Sequence, residues 1–175
     1  MGNPEENWFP WLRQELEKRG FEVDVPQFPI NENQTLEGWE RSFLEYYKKL
    51  DENSIIIGHS LGVIYALHVL QNKKRKIKGA FLVAGFISSL HQGEKSFEDS
   101  FIEKELKFNE IKNKSQHFFV YGSDNDPYVS LEKINELAEK LEIEPIIVEG
   151  AGHFNTKFGY TKFEDLLIDI LSLEN

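Results

Sequence analysis

Apolar positions near the N-terminus follow first a helical and then a strand pattern. From Trp8 to Leu16 apolar residues recur at helical spacing, and Gly20 follows, which predicts a helix that ends before residue 20. Residues 21–25 are predicted to form a short strand that Pro26 ends. The chain therefore opens with a helix followed by a strand.

Further along, short apolar runs alternate with longer helical patterns. Residues 54–57 are rich in β-branched side chains and residues 80–84 are apolar throughout, which is typical of strands buried on both faces of a parallel sheet. Two later strands are predicted at residues 118–121 and 145–148. Helices are predicted after Thr35 and over the ranges 61–70, 131–141 and 163–170, with residues 161–164 as a capping box for the last.

This alternation of strand and helix predicts an α/β fold. The sheet should be mostly parallel, with helices on both faces, as in a three-layer sandwich. A chain of 175 residues is long enough for a single domain, here residues 1–175. In such sheets ligands bind beyond the carboxyl ends of the strands, so that edge is where candidate chemistry is sought.

Composition narrows the possible functions. The formal charge of -10 disfavours nucleic acid or an anionic membrane surface as the main partner, since both require clustered cations. The absence of cysteine excludes disulfides, thiolate metal sites and cysteine nucleophiles. The first residues do not resemble a signal peptide, and no apolar run approaches the ~20 residues of a membrane span. We expect a cytoplasmic protein.

Residues 58–62 read Gly-His-Ser-Leu-Gly and match the pattern G-x-S-x-G. They lie between a predicted strand and a predicted helix, the context that a nucleophilic serine on a sharp turn requires. We expect this turn to strain Ser60 and to leave no space for side chains at Gly58 and Gly62. The Leu61 N–H, at the start of the helix, would donate to a developing oxyanion. The alternative is a turn of small residues with a surface serine.

A serine hydroxyl needs a base to take its proton, and five histidines are available. His153 follows the last predicted strand, so its loop opens at the same sheet edge as Ser60. His59 adjoins Ser60 in the chain, but we expect the turn to direct the two side chains apart. The remaining histidines belong to other elements: His68, His91 and His117. We therefore predict that His153 is the base.

An acidic loop follows the strand predicted at 118–121. It offers Asp124 and Asp126, either of which could accept a hydrogen bond from the imidazole and stabilise the imidazolium. We choose Asp126 because Asp-Pro-Tyr-Val leads directly into the next helix, whereas Asp124 could be a turn or capping residue. The order Ser60, Asp126, His153 along the chain is the α/β-hydrolase order.

The chain resembles the small serine hydrolases related to retinoblastoma-binding protein, including the bacterial YdeN-like members. The similar segments are residues 7–12, 58–62, 121–129 and 152–154. The resemblance implies a compact α/β-hydrolase with little or no lid, a triad of Ser60, Asp126 and His153, and esterase-like activity on small acyl substrates. No metal or organic cofactor is called for.

Two departures from the family pattern matter. The retinoblastoma-binding motif of the family, Leu-x-Cys-x-Glu, needs a cysteine that this chain lacks, so that partner has no support. Family members also begin with an apolar strand ending in His-Gly, which would lie between the strands predicted at 21–25 and 54–57. We expect that Met1 is an internal residue of a longer protein. Gly2, or a residue before Met1, would then border the oxyanion hole.

The sequence thus predicts a serine hydrolase that cleaves small carboxylic esters through an acyl-enzyme. Residues 86–91, Tyr128, Phe154 and the segment 8–11 are candidate pocket walls. The alternative is a non-catalytic protein-binding module on a hydrolase scaffold. The triad would serve thioesters, amides and peptides equally well, and the sequence does not specify the natural substrate or the oligomeric state.

Overall fold

The computed structural model describes residues 3–91 and 96–174. In chain order its elements are α1 (Phe9–Glu17), α2 (Leu36–Lys49), β1 (Ile55–His59), α3 (Leu61–Asn72), β2 (Ile77–Val83), α4 (Asp99–Ile102), α5 (Phe108–Ile111), β3 (Ser115–Ser123), α6 (Leu131–Leu141), β4 (Ile146–Val148) and α7 (Glu164–Ser172). Two 3-10 turns lie at Asn31–Asn33 and Thr156–Phe158.

The four strands form one parallel sheet in the order β1-β2-β3-β4. Val83 of β2 is in register with His59 of β1 and with Tyr121 of β3, and Tyr121 is in turn opposite Ile146 of β4. Because all strands run the same way, the turns that follow β1, β3 and β4 open at one edge of the sheet. That edge carries the candidate chemistry.

Successive side chains of β2 serve two separate hydrophobic cores. Ala80 and Leu82 belong to the core formed with helices α2 to α6. Phe81 and Val83 belong to the core formed with α1 and α7. Since side chains alternate between the faces of a strand, the two cores lie on opposite faces of the sheet. The predicted α/β architecture, with helices on both faces, is confirmed.

The predicted strand at residues 21–25 was wrong. The Phe21 N–H donates to the Leu16 carbonyl at 3.2 Å and so completes the end of α1, and residues 21–25 contain no strand. A strand needs a neighbour for its backbone hydrogen bonds, and none of the four described strands pairs with this segment. β1 is therefore an edge strand of the described sheet.

Of the two predicted helix caps, one is confirmed and the other is wrong. Thr35 caps α2, since its hydroxyl accepts the Gly38 N–H at 3.1 Å. The capping box expected at residues 161–164 is wrong. α7 begins at Glu164, and its N-cap residue is Phe163, whose side chain makes no capping hydrogen bond. Within the described ranges no helix combines the length and apolar character that a membrane span requires.

Candidate active site

Ser60 occupies the single position between the end of β1 and the start of α3. Its backbone has φ 55° and ψ -122°, a conformation that costs free energy for any residue with a side chain. Its N–H donates to the Val83 carbonyl at 2.9 Å, and its own carbonyl accepts the Val63 N–H at 3.0 Å. These bonds fix the turn to β2 and to the first turn of α3, so the strained serine is held at the sheet edge.

The two glycines of this turn have different surroundings. A Cβ at Gly58 would lie 2.6 Å from the Gly62 carbonyl oxygen and 2.9 Å from the Val63 Cα, so residue 58 must be glycine. A Cβ at Gly62 would meet no atom within 4 Å among the described residues. The expected clash at Gly62 is therefore wrong, because the Cβ position there faces open space, whereas the one at Gly58 faces the backbone of Gly62 and Val63.

Asp126 and His153 meet across the loops that follow β3 and β4. The imidazole Nδ1 of His153 lies 2.7 Å from Oδ2 of Asp126. The second carboxylate oxygen accepts the Tyr128 and Val129 N–H groups at 2.8 and 3.1 Å. With the side chain of Asp126 only 1% exposed, the carboxylate is held in one orientation toward the imidazole.

Asp124 and Asn125, the neighbours of Asp126 in the chain, bind the backbone of the loop that carries His153. Asp124 accepts the Gly150 N–H at 2.7 Å, and Asn125 accepts the Gly152 N–H at 2.7 Å. Of the two carboxylates that the sequence offered, the structure thus places Asp126 against the imidazole and Asp124 against the loop backbone. Asp124 therefore supports the loop that carries His153, a contact between two loops rather than the turn or capping role that the sequence suggested.

Ser60 and His153 line the same cavity, which has a volume of about 1740 Å³. The Nδ1 of His153 is engaged by Asp126, so its Nε2 is the nitrogen left for a substrate or a serine hydroxyl. Among the described residues neither Ser60 Oγ nor His153 Nε2 makes a hydrogen bond. The structure thus brings the two side chains to one cavity without a direct hydrogen bond between them.

The cavity extends well beyond the serine. It runs along the open edge of β1 and is also lined by residues 21–25, which explains a volume larger than the ~300–1,000 Å³ typical of small-molecule sites. Of the expected pocket walls, the cavity is lined by Trp8, Phe9, Phe86, Leu90, His91 and Tyr128. Phe154 is fully buried in a core and does not line it.

The Leu61 N–H lies in the first turn of α3, directly after Ser60. The first N–H groups of a helix have no partner within it, and the positive end of the helix dipole points there. Leu61 thus offers a donor beside the serine. Gly2, the other expected contributor to an oxyanion hole, lies outside the described residues.

Sequence reasoning missed the position of His59. Its ring does not point away from the site: Nε2 donates to the His153 carbonyl at 2.8 Å, and the two rings lie 4.9 Å apart between centroids. Burial, and secondarily the charge of a protonated His153, lower the pKa of His59 to about 4. His59 is therefore neutral at pH 7. No local signal in the sequence indicated this contact, because the predicted strand ended at residue 57 and the hydrogen bond joins residues 94 positions apart.

Metal ligands are not gathered anywhere in the described ranges, where no group of three His, Asp or Glu side chains could hold an ion.

The family model for serine hydrolases matches residues 1–171. The chain belongs to the serine hydrolase family.

Individual relatives agree with this assignment. The chain is 28% identical to the putative hydrolase YdeN of Bacillus subtilis over 168 residues, which cover 95% of this chain and 87% of YdeN. It is 29% identical to the serine hydrolase RBBP9 of Rattus norvegicus over 156 residues, covering 86% of this chain and 80% of RBBP9.

Solved structures show the same fold. The ydeN gene product of B. subtilis superposes with a TM-score of 0.91 at 26% identity, covering 98% of this chain and 92% of that one. A meta-cleavage product hydrolase from Pseudomonas fluorescens has a TM-score of 0.66 at 14% identity, covering 97% and 85%. This serine hydrolase therefore has the α/β-hydrolase fold.

Proposed function

We propose that this serine hydrolase cleaves small carboxylic esters through an acyl-enzyme formed on Ser60. The observation that carries the proposal is the hydrogen bond of 2.7 Å between His153 and Asp126, on the cavity that Ser60 also lines. A carboxylate on Nδ1 fixes the tautomer in which Nε2 accepts a proton, as a general base requires. The strained backbone of Ser60, in a turn fixed to β2, supports its role as the nucleophile.

The proposed reaction has two steps. Ser60 Oγ attacks the carbonyl carbon of the ester while His153 Nε2 takes the hydroxyl proton. The tetrahedral intermediate collapses as the imidazolium gives that proton to the leaving alcohol. In the second step His153 takes a proton from water as the water oxygen attacks the acyl carbon, and the imidazolium then returns that proton to Ser60 Oγ as the acid leaves. Asp126 stabilises the imidazolium in both steps.

The oxyanion of each intermediate needs donors that are already in place. The Leu61 N–H supplies one, since it lies next to the nucleophile at the N-terminal end of α3. We propose that a donor from the chain near Gly2 supplies a second. The apolar side chains of Phe9, Phe86 and Leu90, which line the cavity, would accept the acyl or alcohol portion of the ester.

The nucleophile can be tested directly with a fluorophosphonate, which reacts with an activated serine and needs no knowledge of the substrate. We expect labelling of the wild-type protein and none of Ser60→Ala. Ser172→Ala is the matched control, because Ser172 lies at the end of α7 and does not line the cavity. Labelling that persists in Ser60→Ala, or that is absent from the wild-type protein, would contradict the proposal, and the second result would favour a non-catalytic binding module.

The substrate class needs a separate measurement. A series of p-nitrophenyl esters of increasing acyl length, compared with matched thioester and amide substrates, measures kcat/KM for each type of bond. We expect the esters to be cleaved fastest. The proposed partner is a small acyl compound. We also expect a cytoplasmic location, which fractionation of the producing cells would test.

A further inference from the structure

The loop that carries His153 has an unusual backbone. Gly152 and Phe154, on either side of His153, have φ values of 55° and 49°. A left-handed conformation is easy for glycine but costs on the order of 1–2 kcal/mol at a residue with a side chain. Phe154 therefore keeps this conformation because contacts from elsewhere in the protein hold it.

Two aromatic N–H groups provide those contacts. His59 Nε2 donates to the carbonyl of His153 at 2.8 Å, and Trp8 Nε1 donates to the carbonyl of Phe154 at 2.9 Å. Two consecutive carbonyls of the loop are thus each bound by a ring nitrogen from a distant part of the chain. A buried carbonyl left without such a donor would cost ~1–3 kcal/mol.

The His59 ring is itself firmly placed. Its centroid lies 6.0 Å from those of Trp8 and Phe9, with both pairs edge to face. His59 also closes β1, in register with Val83 of β2, so its backbone belongs to the sheet. The His59 ring is therefore fixed relative to the sheet, and its hydrogen bond to the His153 carbonyl fixes the His153 loop relative to the sheet as well.

The charge of the His59 ring also matters, because the ring lies next to the proposed base. The apolar surroundings lower the pKa of His59 to about 4, so it stays neutral when His153, 4.9 Å away between centroids, becomes an imidazolium. A neutral imidazole with its proton on Nε2 can donate to a carbonyl without adding a second positive charge.

We propose that His59 is a positioning residue for hydrolysis, which holds the His153 carbonyl through its Nε2–H and so fixes the His153 imidazole between Asp126 and Ser60. This inference rests on the proposed function, because it assigns His153 as the base. It gives a chemical role to the second residue of the Gly-His-Ser-Leu-Gly turn.

The test compares two substitutions of His59. His59→Phe keeps an aromatic ring but removes the donor, whereas His59→Gln keeps an N–H donor at a similar reach. We expect His59→Phe to lower kcat by roughly 10–100-fold, the order that displacement of a catalytic group produces, with KM changed less than about twofold. His59→Gln should recover most of the loss. Should His59→Phe fail to fold, His59→Met replaces it, because it also lacks a donor.

A second readout does not depend on activity. The proton that His153 Nδ1 shares with Asp126 should give a downfield proton resonance in NMR spectra of the wild-type protein and of His59→Gln. We expect that resonance to be lost or broadened in His59→Phe. His68→Phe is the control, since buried His68 donates in the same way to the Phe101 carbonyl at 2.7 Å, outside the cavity. It should lower stability while leaving kcat and the resonance unchanged.

The outcomes separate this inference from the proposed function. If the wild-type protein is labelled at Ser60 but His59→Phe retains wild-type kcat and the resonance, the positioning role is overturned while the proposed function stands. If the wild-type protein is not labelled, the proposed function fails, and the resonance alone decides whether His59 holds the loop. Failure of His59→Gln to restore either readout would also overturn the role of the donor.

Discussion

Gly58 and Gly62 stand on either side of Ser60 and differ in what surrounds them. Because a Cβ at Gly58 would lie 2.6 Å from a backbone oxygen, we expect Gly58→Ala to lower the free energy of unfolding by about 1–3 kcal/mol. Gly62→Ala should be neutral or stabilising by up to ~1 kcal/mol, since it lies in α3 with open space around it. Urea unfolding of both variants measures the difference, and equal destabilisation would contradict it.

Asp124 and Asp126 allow an equally matched comparison. Asp126→Asn replaces the acceptor of the His153 Nδ1–H, and with the wrong imidazole tautomer we expect kcat to fall by about 10²–10⁴. Asp124→Asn retains an oxygen for the Gly150 N–H, so its kcat should stay within about tenfold of the wild-type value. Ester hydrolysis at saturating substrate checks both, and a greater loss at Asp124 would reverse the assignment.

The sequence predicted which side chains would meet, but not every contact that holds them. The rule that loops after parallel strands share one edge placed Asp126 and His153 together, and they lie 2.7 Å apart. The rule that neighbours on a turn diverge led us to dismiss His59, yet that side chain is held by the backbone of β1 and reaches the His153 loop. Such long-range bonds depend on packing, which local rules do not contain.

At the scale of elements, apolar patterns predicted the main helices and the positions of the strands. The burial predicted for residues 54–57 is wrong, because β1 lies at the edge of the described sheet and is only half-buried, whereas β2 is buried along most of its length. The exception among the predicted strands is the segment 21–25. Phe21 and Val23 do pack on the core of α1 and α7, as alternation along a strand would require. No described strand pairs with this segment, so it lacks a ladder of backbone hydrogen bonds. Strand pairing depends on the arrangement of the whole sheet, which the local pattern of residues 21–25 does not contain.

Helix capping provides a stability prediction at the same scale. Thr35 accepts the Gly38 N–H and caps α2, so we expect Thr35→Ala to lower the free energy of unfolding by about 1 kcal/mol. Thr161 caps no helix, and Thr161→Ala should change stability by less than ~0.5 kcal/mol. Urea unfolding would distinguish the two, and an equal loss from Thr161→Ala would mean that the true start of α7 lies earlier.

For the whole molecule, the neutral His59 makes stability depend on pH. Its pKa is about 4, below the ordinary value of 6.5, so the unfolded chain binds a proton there that the folded protein excludes. The folded protein should therefore lose on the order of 1–3 kcal/mol as the pH falls from 6.5 toward 4. His68, whose pKa burial also lowers, contributes in the same direction.

The measurement follows urea midpoints between pH 7 and pH 4.5 for the wild-type protein and for His59→Gln. Glutamine does not titrate, so the wild-type advantage over the variant should shrink as the pH falls. A difference that stays constant across this range would show that His59 titrates alike in the folded and unfolded states.

The bond between His59 and the His153 carbonyl joins residues 94 positions apart, and the bond between Trp8 and Phe154 joins residues 146 apart. At about 5–20 residues per second, a ribosome needs roughly 5–19 s to add 94 residues. The serine turn is thus synthesised many seconds before the histidine that we propose as its base, and on that proposal the Ser60 hydroxyl of a nascent chain has no base during the interval. The proposed acyl transfer could then begin only after translation of the C-terminal loop, when His153 and Phe154 can bind the rings of His59 and Trp8 that were synthesised earlier.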